Sequence, residues 1–173
     1  MSELIPVLEK NAIAHKIAAV AKHISADYKD ADLILVGVLK GAFIFMADLI
    51  RRLELKKVAV DFVQLASYGS DTQSSGTISI LKDLSSDIRD KDVLIVEDIL
   101  DTGNTLAFLI DHLRGRAPRS IKICTLIDKK ERRQVDIQAD YVCHQVEAGF
   151  LVGYGLDFAE EYRNLPEIYH LKR

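Results

Sequence analysis

The sequence predicts an α/β protein built on a mostly parallel, doubly wound sheet flanked by helices. Three observations carry that prediction. Short, wholly apolar runs such as LILVGV (33–38) and VLIV (93–96) have the length of strands covered on both faces. Longer stretches with helical periodicity stand between them, the alternation of a parallel sheet. Finally, LKG, VEDILDTGNT and LIDKK each follow an apolar run, at the carboxyl ends of strands where such sheets bind ligands.

In order along the chain, residues 10–27 predict a helix, because Ile13, Ile17, Val20, Ala21 and Ile24 recur at helical spacing. After LILVGV, only Leu39, Lys40 and Gly41 precede a second amphipathic helix over 42–53, striped by Ala42, Phe45, Met46, Leu49, Ile50 and Leu53. VAVDFV (58–63) reads as a strand. The Ser-, Gly- and Asp-rich stretch ASYGSDTQSSG (66–76) predicts a mobile loop, from which TISIL (77–81) returns as a strand. VLIV is central. Leu106, Leu109, Ile110 and Leu113 give the next helix its apolar stripe, and IKICTLI (121–127), ADYVC (139–143) and FLVGY (150–154) supply three further strands. No repeat or linker interrupts residues 1–173, so a single domain is expected.

Hydrophobic residues make up 49% of the chain and charged residues 28%, the balance of a globular protein. A net charge of −3 argues against sequence-independent nucleic-acid binding, which needs a positive face. No apolar stretch reaches the roughly 20 residues that span a bilayer, and the acidic start lacks the apolar core of a signal peptide. A cytoplasmic protein without nucleic-acid or membrane partners is expected. Cys124 and Cys143 lie in apolar runs and read as buried thiols. His15, His23, His112, His144 and His170 show no paired ligand spacing, and the GxSxG elbow is absent.

The chemistry concentrates in VLIVEDILDTGNTL (93–106). Glu97, Asp98 and Asp101 gather at one strand end and repel one another, so at least one should hold its proton unusually firmly. Asp101-Thr102-Gly103-Asn104-Thr105 then opens a helix, whose free N–H groups and dipole favour an anion. The plainer reading is ordinary capping by Asp101 or Thr102, which leaves Glu97 and Asp98 unexplained. Neither GxxxxGK[ST] nor GxGxxG occurs. Carboxylates followed by an anion cradle suit a ribose phosphate, the carboxylates accepting from vicinal hydroxyls or holding Mg²⁺.

This stretch resembles the phosphoribosyl-pyrophosphate signature of the type I phosphoribosyltransferases, and its VEDI-x-DTG form resembles the hypoxanthine-guanine branch. The resemblance runs through nearly the whole chain. It implies the type I fold with a small hood built from the termini. Glu97, Asp98, Asp101, Thr102, Gly103, Asn104 and Thr105 would bind ribose and phosphate. GVLKGAFIF is similar to the family's first loop, where Leu39-Lys40 would be a non-proline cis peptide and Leu39, Lys40 and Gly41 would contact pyrophosphate with Arg163. Ser67-Tyr68 would belong to the long flexible loop that closes over the reacting centre. On the purine side, Lys129 would contact the exocyclic oxygen, Phe150 would stack on the base and Leu151 would offer backbone contacts. Asp157 would lie beside them. Mg²⁺ would be held by Glu97 and Asp98, and a second Mg²⁺ by Asp157. The segment ERRQVD (131–136) matches no motif.

The reaction so implied joins phosphoribosyl pyrophosphate to a 6-oxopurine, hypoxanthine or guanine, with Asp101 as general base and loop 66–76 excluding water. A homodimer or homotetramer is implied as well, with helix 42–53 one candidate contact surface. Each residue also has a plainer reading. Phe150 fits a core aromatic, Lys129 shares a basic run with Lys130, Arg132 and Arg133, and Asp157 with Arg163 fits a surface pair. Two alternative functions are a xanthine-preferring enzyme and a non-catalytic RNA-binding regulator on the same fold, the latter opposed by the net charge.

Overall fold

The computed structural model of the chain describes residues 3–68 and 77–172. A six-stranded sheet has the order β4-β3-β2-β5-β6-β7, formed by β2 (Leu33–Leu39), β3 (Val58–Tyr68), β4 (Thr77–Lys82), β5 (Asp92–Leu100), β6 (Ser120–Lys129) and β7 (Tyr141–Val146). Only β4 runs antiparallel to its neighbour. The apolar runs alternate between two cores, as a doubly covered sheet requires. Leu33, Leu35, Leu94, Val96, Cys124 and Leu126 pack with α1 (Lys10–Asp27) and α2 (Phe43–Ile50). Ile34, Val36, Val38, Val93, Ile95 and Ile123 pack on the other face with α3 (Asn104–Arg114).

A second, three-stranded antiparallel sheet is formed by β1 (Glu3–Leu8), β9 (Ile168–Lys172) and β8 (Leu151–Val152), in the order β1-β9-β8. It brings the two termini together as the hood. Here the predicted strand 150–154 is corrected: only Leu151 and Val152 are extended, and they pair with β9 rather than joining the large sheet. Gly153 at φ +97° and Tyr154 at φ +53° turn the chain out of the extended region immediately afterwards.

Smaller departures have equally local causes. The second helix ends at Ile50 instead of 53, because the N–H groups of Arg52 and Leu53 bond back three residues, to Leu49 and Ile50, in a tightened turn. Strand β3 continues into the predicted loop as far as Tyr68, with Ser67 opposite Ile78 and Tyr68 opposite Thr77. Ser67 is therefore an exposed strand residue. The remainder of that predicted loop, 69–76, lies outside the described residues. Among the described residues no helix is long and apolar enough to cross a membrane.

Candidate active site

The carboxyl end of β5 presents the acidic residues. Its apolar part is held between β2 and β6, so Glu97 and Asp98 emerge at the rim of a buried strand. Glu97 is only 7% exposed. Its Oε1 accepts from the Asp98 N–H at 3.0 Å, and Asp98 Oδ1 accepts from the Ile99 N–H at 2.7 Å. Burial, then the neighbouring Asp98 charge, pushes the Glu97 carboxyl well above its ordinary range, and burial raises Asp98 too. The cluster thus carries the proton affinity expected of it.

Asp101 has a different environment. Its Oδ2 faces the Lys129 ammonium at 3.3 Å and an Arg132 guanidinium nitrogen at 3.8 Å. Its Oδ1 is buried and lacks a hydrogen-bond partner among the described residues. Lys129 does not lie on a solvated face: it is 5% exposed, and its ammonium also donates to the Gly149 carbonyl at 3.2 Å. The Gly149 N–H in turn donates to Glu131 at 3.2 Å.

The cradle follows. Gly103 is the N-cap of α3 at φ +85°. Of the caps expected, the cap position itself falls to Gly103, while the Thr102 hydroxyl oxygen still accepts from the first helical N–H, a helix start suited to an anion. The position admits only glycine, since a Cβ there would lie 2.7 Å from methyls of both Val135 and Ile137. Thr102 Oγ1 accepts from the Asn104 N–H at 3.3 Å, and the Asn104 amide donates to Gln134 at 2.6 Å. Glu97, Asp98, Asp101, Thr102, Gly103 and Thr105 line one cleft of about 220 Å³.

Two more segments close on this cleft. The Leu39-Lys40 peptide is cis. The next residue, Gly41, lies so near Asp98 that a Cβ would fall 1.8 Å from Oδ2, while a Cβ on Gly155 would fall 2.3 Å from the Gly41 carbonyl. Lys40 reaches across to Glu160 at 2.9 Å. Arg163 pairs with Asp157 at 3.0 Å and with Glu160 at 3.4 Å, and donates to the Gly155 carbonyl at 2.7 Å. Ala159, Glu160 and Tyr162 all have positive φ, which bends this segment tightly around its ion pairs. Phe150 is 44% exposed and sits edge-on to Phe158, with ring centroids 5.7 Å apart, so it is not a core aromatic. Leu151, one residue on, is buried in β8.

Among the described residues no three His, Cys, Asp or Glu side chains gather as a metal cage. Glu97 and Asp98 nevertheless fit Mg²⁺, a hard cation commonly held by one or two carboxylates with substrate phosphates completing its shell. Two adjacent buried carboxylates with raised proton affinity are the right donor set. Sequence reasoning missed Glu131, Arg133, Gln134 and Glu160. The basic and polar run containing the first three gave no sign of which side chains fold inward.

The phosphoribosyl transferase domain family matches residues 7–159. The hypoxanthine-guanine phosphoribosyltransferase of Aquifex aeolicus is 49% identical over 164 residues, covering 94% of this chain and 92% of that protein. The chain belongs to the hypoxanthine-guanine phosphoribosyltransferase family. It is accordingly a transferase. The Bacillus subtilis hypoxanthine-guanine phosphoribosyltransferase is 45% identical, covering 96% of this chain and 92% of its own. A crystal structure of a Staphylococcus aureus hypoxanthine phosphoribosyltransferase superposes with a TM-score of 0.92 at 44% identity, covering 96% of this chain and 90% of that one. The type I phosphoribosyltransferase fold expected from the sequence is therefore the fold observed.

Proposed function

We propose that this phosphoribosyltransferase serves purine salvage, transferring the 5-phosphoribosyl group of phosphoribosyl pyrophosphate to hypoxanthine or guanine and releasing pyrophosphate. The observation that carries the reading is Asp101. Its Oδ1 lacks a partner among the described residues, buried Lys129 faces its Oδ2, and the N-terminus of α3 begins within a few residues.

Each residue then has a task. Thr102, Gly103, Asn104 and Thr105 bind the 5′-phosphate through the start of α3. Glu97 and Asp98 accept from the ribose hydroxyls. Phe150 supports the base, Leu151 gives backbone contacts and Lys129 donates to its exocyclic oxygen. Asp101 takes the ring-nitrogen proton as the new C–N bond forms. The C–O bond to pyrophosphate breaks, and the leaving group carries off its electron pair toward Lys40, the Leu39–Gly41 backbone and Arg163. Glu97 and Asp98 would hold one Mg²⁺ and Asp157 a second, which would supply charge neutralisation for the departing pyrophosphate. Ser67 and Tyr68 close over the reacting atoms and keep water from the activated ribose.

The same reading assigns residues 1–173 to one phosphoribosyltransferase domain, in the cytoplasm, acting as a homodimer or homotetramer. The buried unpaired thiols of Cys124 and Cys143 support a reducing compartment. Exposed Phe43, Val60 and Leu81 support self-association. The site's geometry favours neither the xanthine-preferring nor the RNA-binding alternative. The protein should be incubated with Mg²⁺, phosphoribosyl pyrophosphate and each of hypoxanthine, guanine, xanthine and adenine. Nucleotide is expected from the first two. No product from any base, or product from adenine alone, would overturn the reading.

A further inference from the structure

We propose that the segment Arg133–Ile137 is a brace that positions the two halves of the active site separately: Arg133 sets the purine-side residues, and Gln134 with its apolar neighbours sets the phosphate cradle. The inference rests on the roles proposed above for Asp101, Lys129 and the start of α3.

The Arg133 guanidinium pairs with Asp128 at 2.5 Å, the two side chains being 17% and 9% exposed. Its Nε donates to the Asp101 carbonyl at 2.8 Å, and one terminal nitrogen donates to the carbonyls of Leu100 at 3.1 Å and Lys129 at 3.2 Å. The other terminal nitrogen holds the Ile137 carbonyl at 2.7 Å. One planar fork thus fastens the ends of β5 and β6 together through the backbone of the very residues proposed as general base and purine donor. A lysine has a single nitrogen on a flexible stem and cannot span the same carbonyls. Arg133 has no role at the reacting atoms, so it is a positioning residue.

Gln134 faces the other half. Its N–H donates to the Thr102 carbonyl at 2.9 Å, and its side-chain oxygen accepts from the Asn104 amide at 2.6 Å. Val135 and Ile137 fill the space against Gly103. Successive residues of one loop therefore support different substrates.

The test compares Arg133→Lys, which keeps a cation beside Asp128, with Gln134→Ala at an exposed position. For Arg133→Lys the purine KM should rise and kcat fall, together on the order of 10- to 100-fold in kcat/KM, since sub-ångström misplacement of reacting groups is this costly. The KM for phosphoribosyl pyrophosphate should stay within about twofold, well below that displacement effect. Gln134→Ala should do the reverse, raising the phosphoribosyl-pyrophosphate KM while sparing the purine's. A general loosening would move both constants together. Equal movement in either variant, or a lowered melting temperature with both constants unchanged, would overturn the brace. Failure of the unsubstituted protein to form nucleotide would instead sink the activity. The brace would then be read calorimetrically, Arg133→Lys weakening a purine nucleoside monophosphate but not ribose 5-phosphate. Equal weakening of both ligands would overturn it there as well.

Discussion

The two rims of the cleft solve the same electrostatic problem in opposite ways. At the end of β5, Glu97 is buried and Asp98 crowds against it, neither with an ion pair among the described residues, and both hold protons more firmly than usual. On the facing segment, Asp157, Glu160, Arg163 and Lys40 neutralise one another by direct pairing. Glu160 is exposed, and its hydrogen bond from Lys40 pulls its carboxyl below the ordinary range. The first rim needs positive charge to be brought in. The second must give up its internal pairs before its cations can take an anion. In the function proposed above, Mg²⁺ would serve the first rim and pyrophosphate the second.

The comparison can be broken in four places. Asp101→Asn removes the open acceptor at the first rim and should lower kcat by about 10²–10⁴, the range of a general base, with little change in the phosphoribosyl-pyrophosphate KM. Turnover within twofold of the unsubstituted enzyme would sink that assignment.

Gly41→Ala strikes where the rims meet, because its methyl would collide with Asp98 Oδ2. Overpacking of this kind costs about 1–3 kcal/mol, so denaturant unfolding should show the loss and pyrophosphate binding should weaken.

Glu97→Gln should stabilise the ligand-free protein. A buried acid whose folded pKa is raised binds more protons folded than unfolded. Its destabilising effect is absent below the ordinary value of 4.5 and grows as pH rises above it. The variant should melt higher at pH 8, by about 2–4 °C for each kcal/mol relieved, and the difference should close towards pH 4. A gain independent of pH would contradict the burial account.

The smallest effect belongs to Glu160→Gln. The residue is exposed, so the melting temperature should not move. The KM for phosphoribosyl pyrophosphate should fall by no more than about fivefold, and less at high salt, where surface pairing is screened. A rise in KM would show that Glu160 helps to hold the ligand.

Much of this was legible from residue pattern, and the unread part has a common cause. The helix over 10–27 matched to the residue because its apolar stripe alone decides which face packs. VLIVEDILDTGNTL announced a strand, a carboxylate cluster and an anion cradle because all three are local. The ends of FLVGY were misjudged, since Leu151 and Val152 pair with β9 from farther along the chain and Gly153 and Tyr154 then turn away at positive φ. Arg133 was invisible for the same reason. Among Lys129, Lys130, Arg132 and Arg133, composition could not say which cations would fold inward: Lys129 is buried against Asp101 and the Gly149 carbonyl, Arg133 against Asp128 and the strand-end carbonyls.

By itself, then, the sequence determined the alternation of strands and helices, the placing of acidic groups and a helix start at a strand end, and the family. Only the tertiary structure decided which groups share a space: Gly41 against Asp98, Lys129 against Asp101, Arg133 across β5 and β6. Periodicity and turn chemistry act over a few residues and can be read along the chain. Charge pairing and close packing depend on distances that exist only once strands far apart in sequence lie side by side.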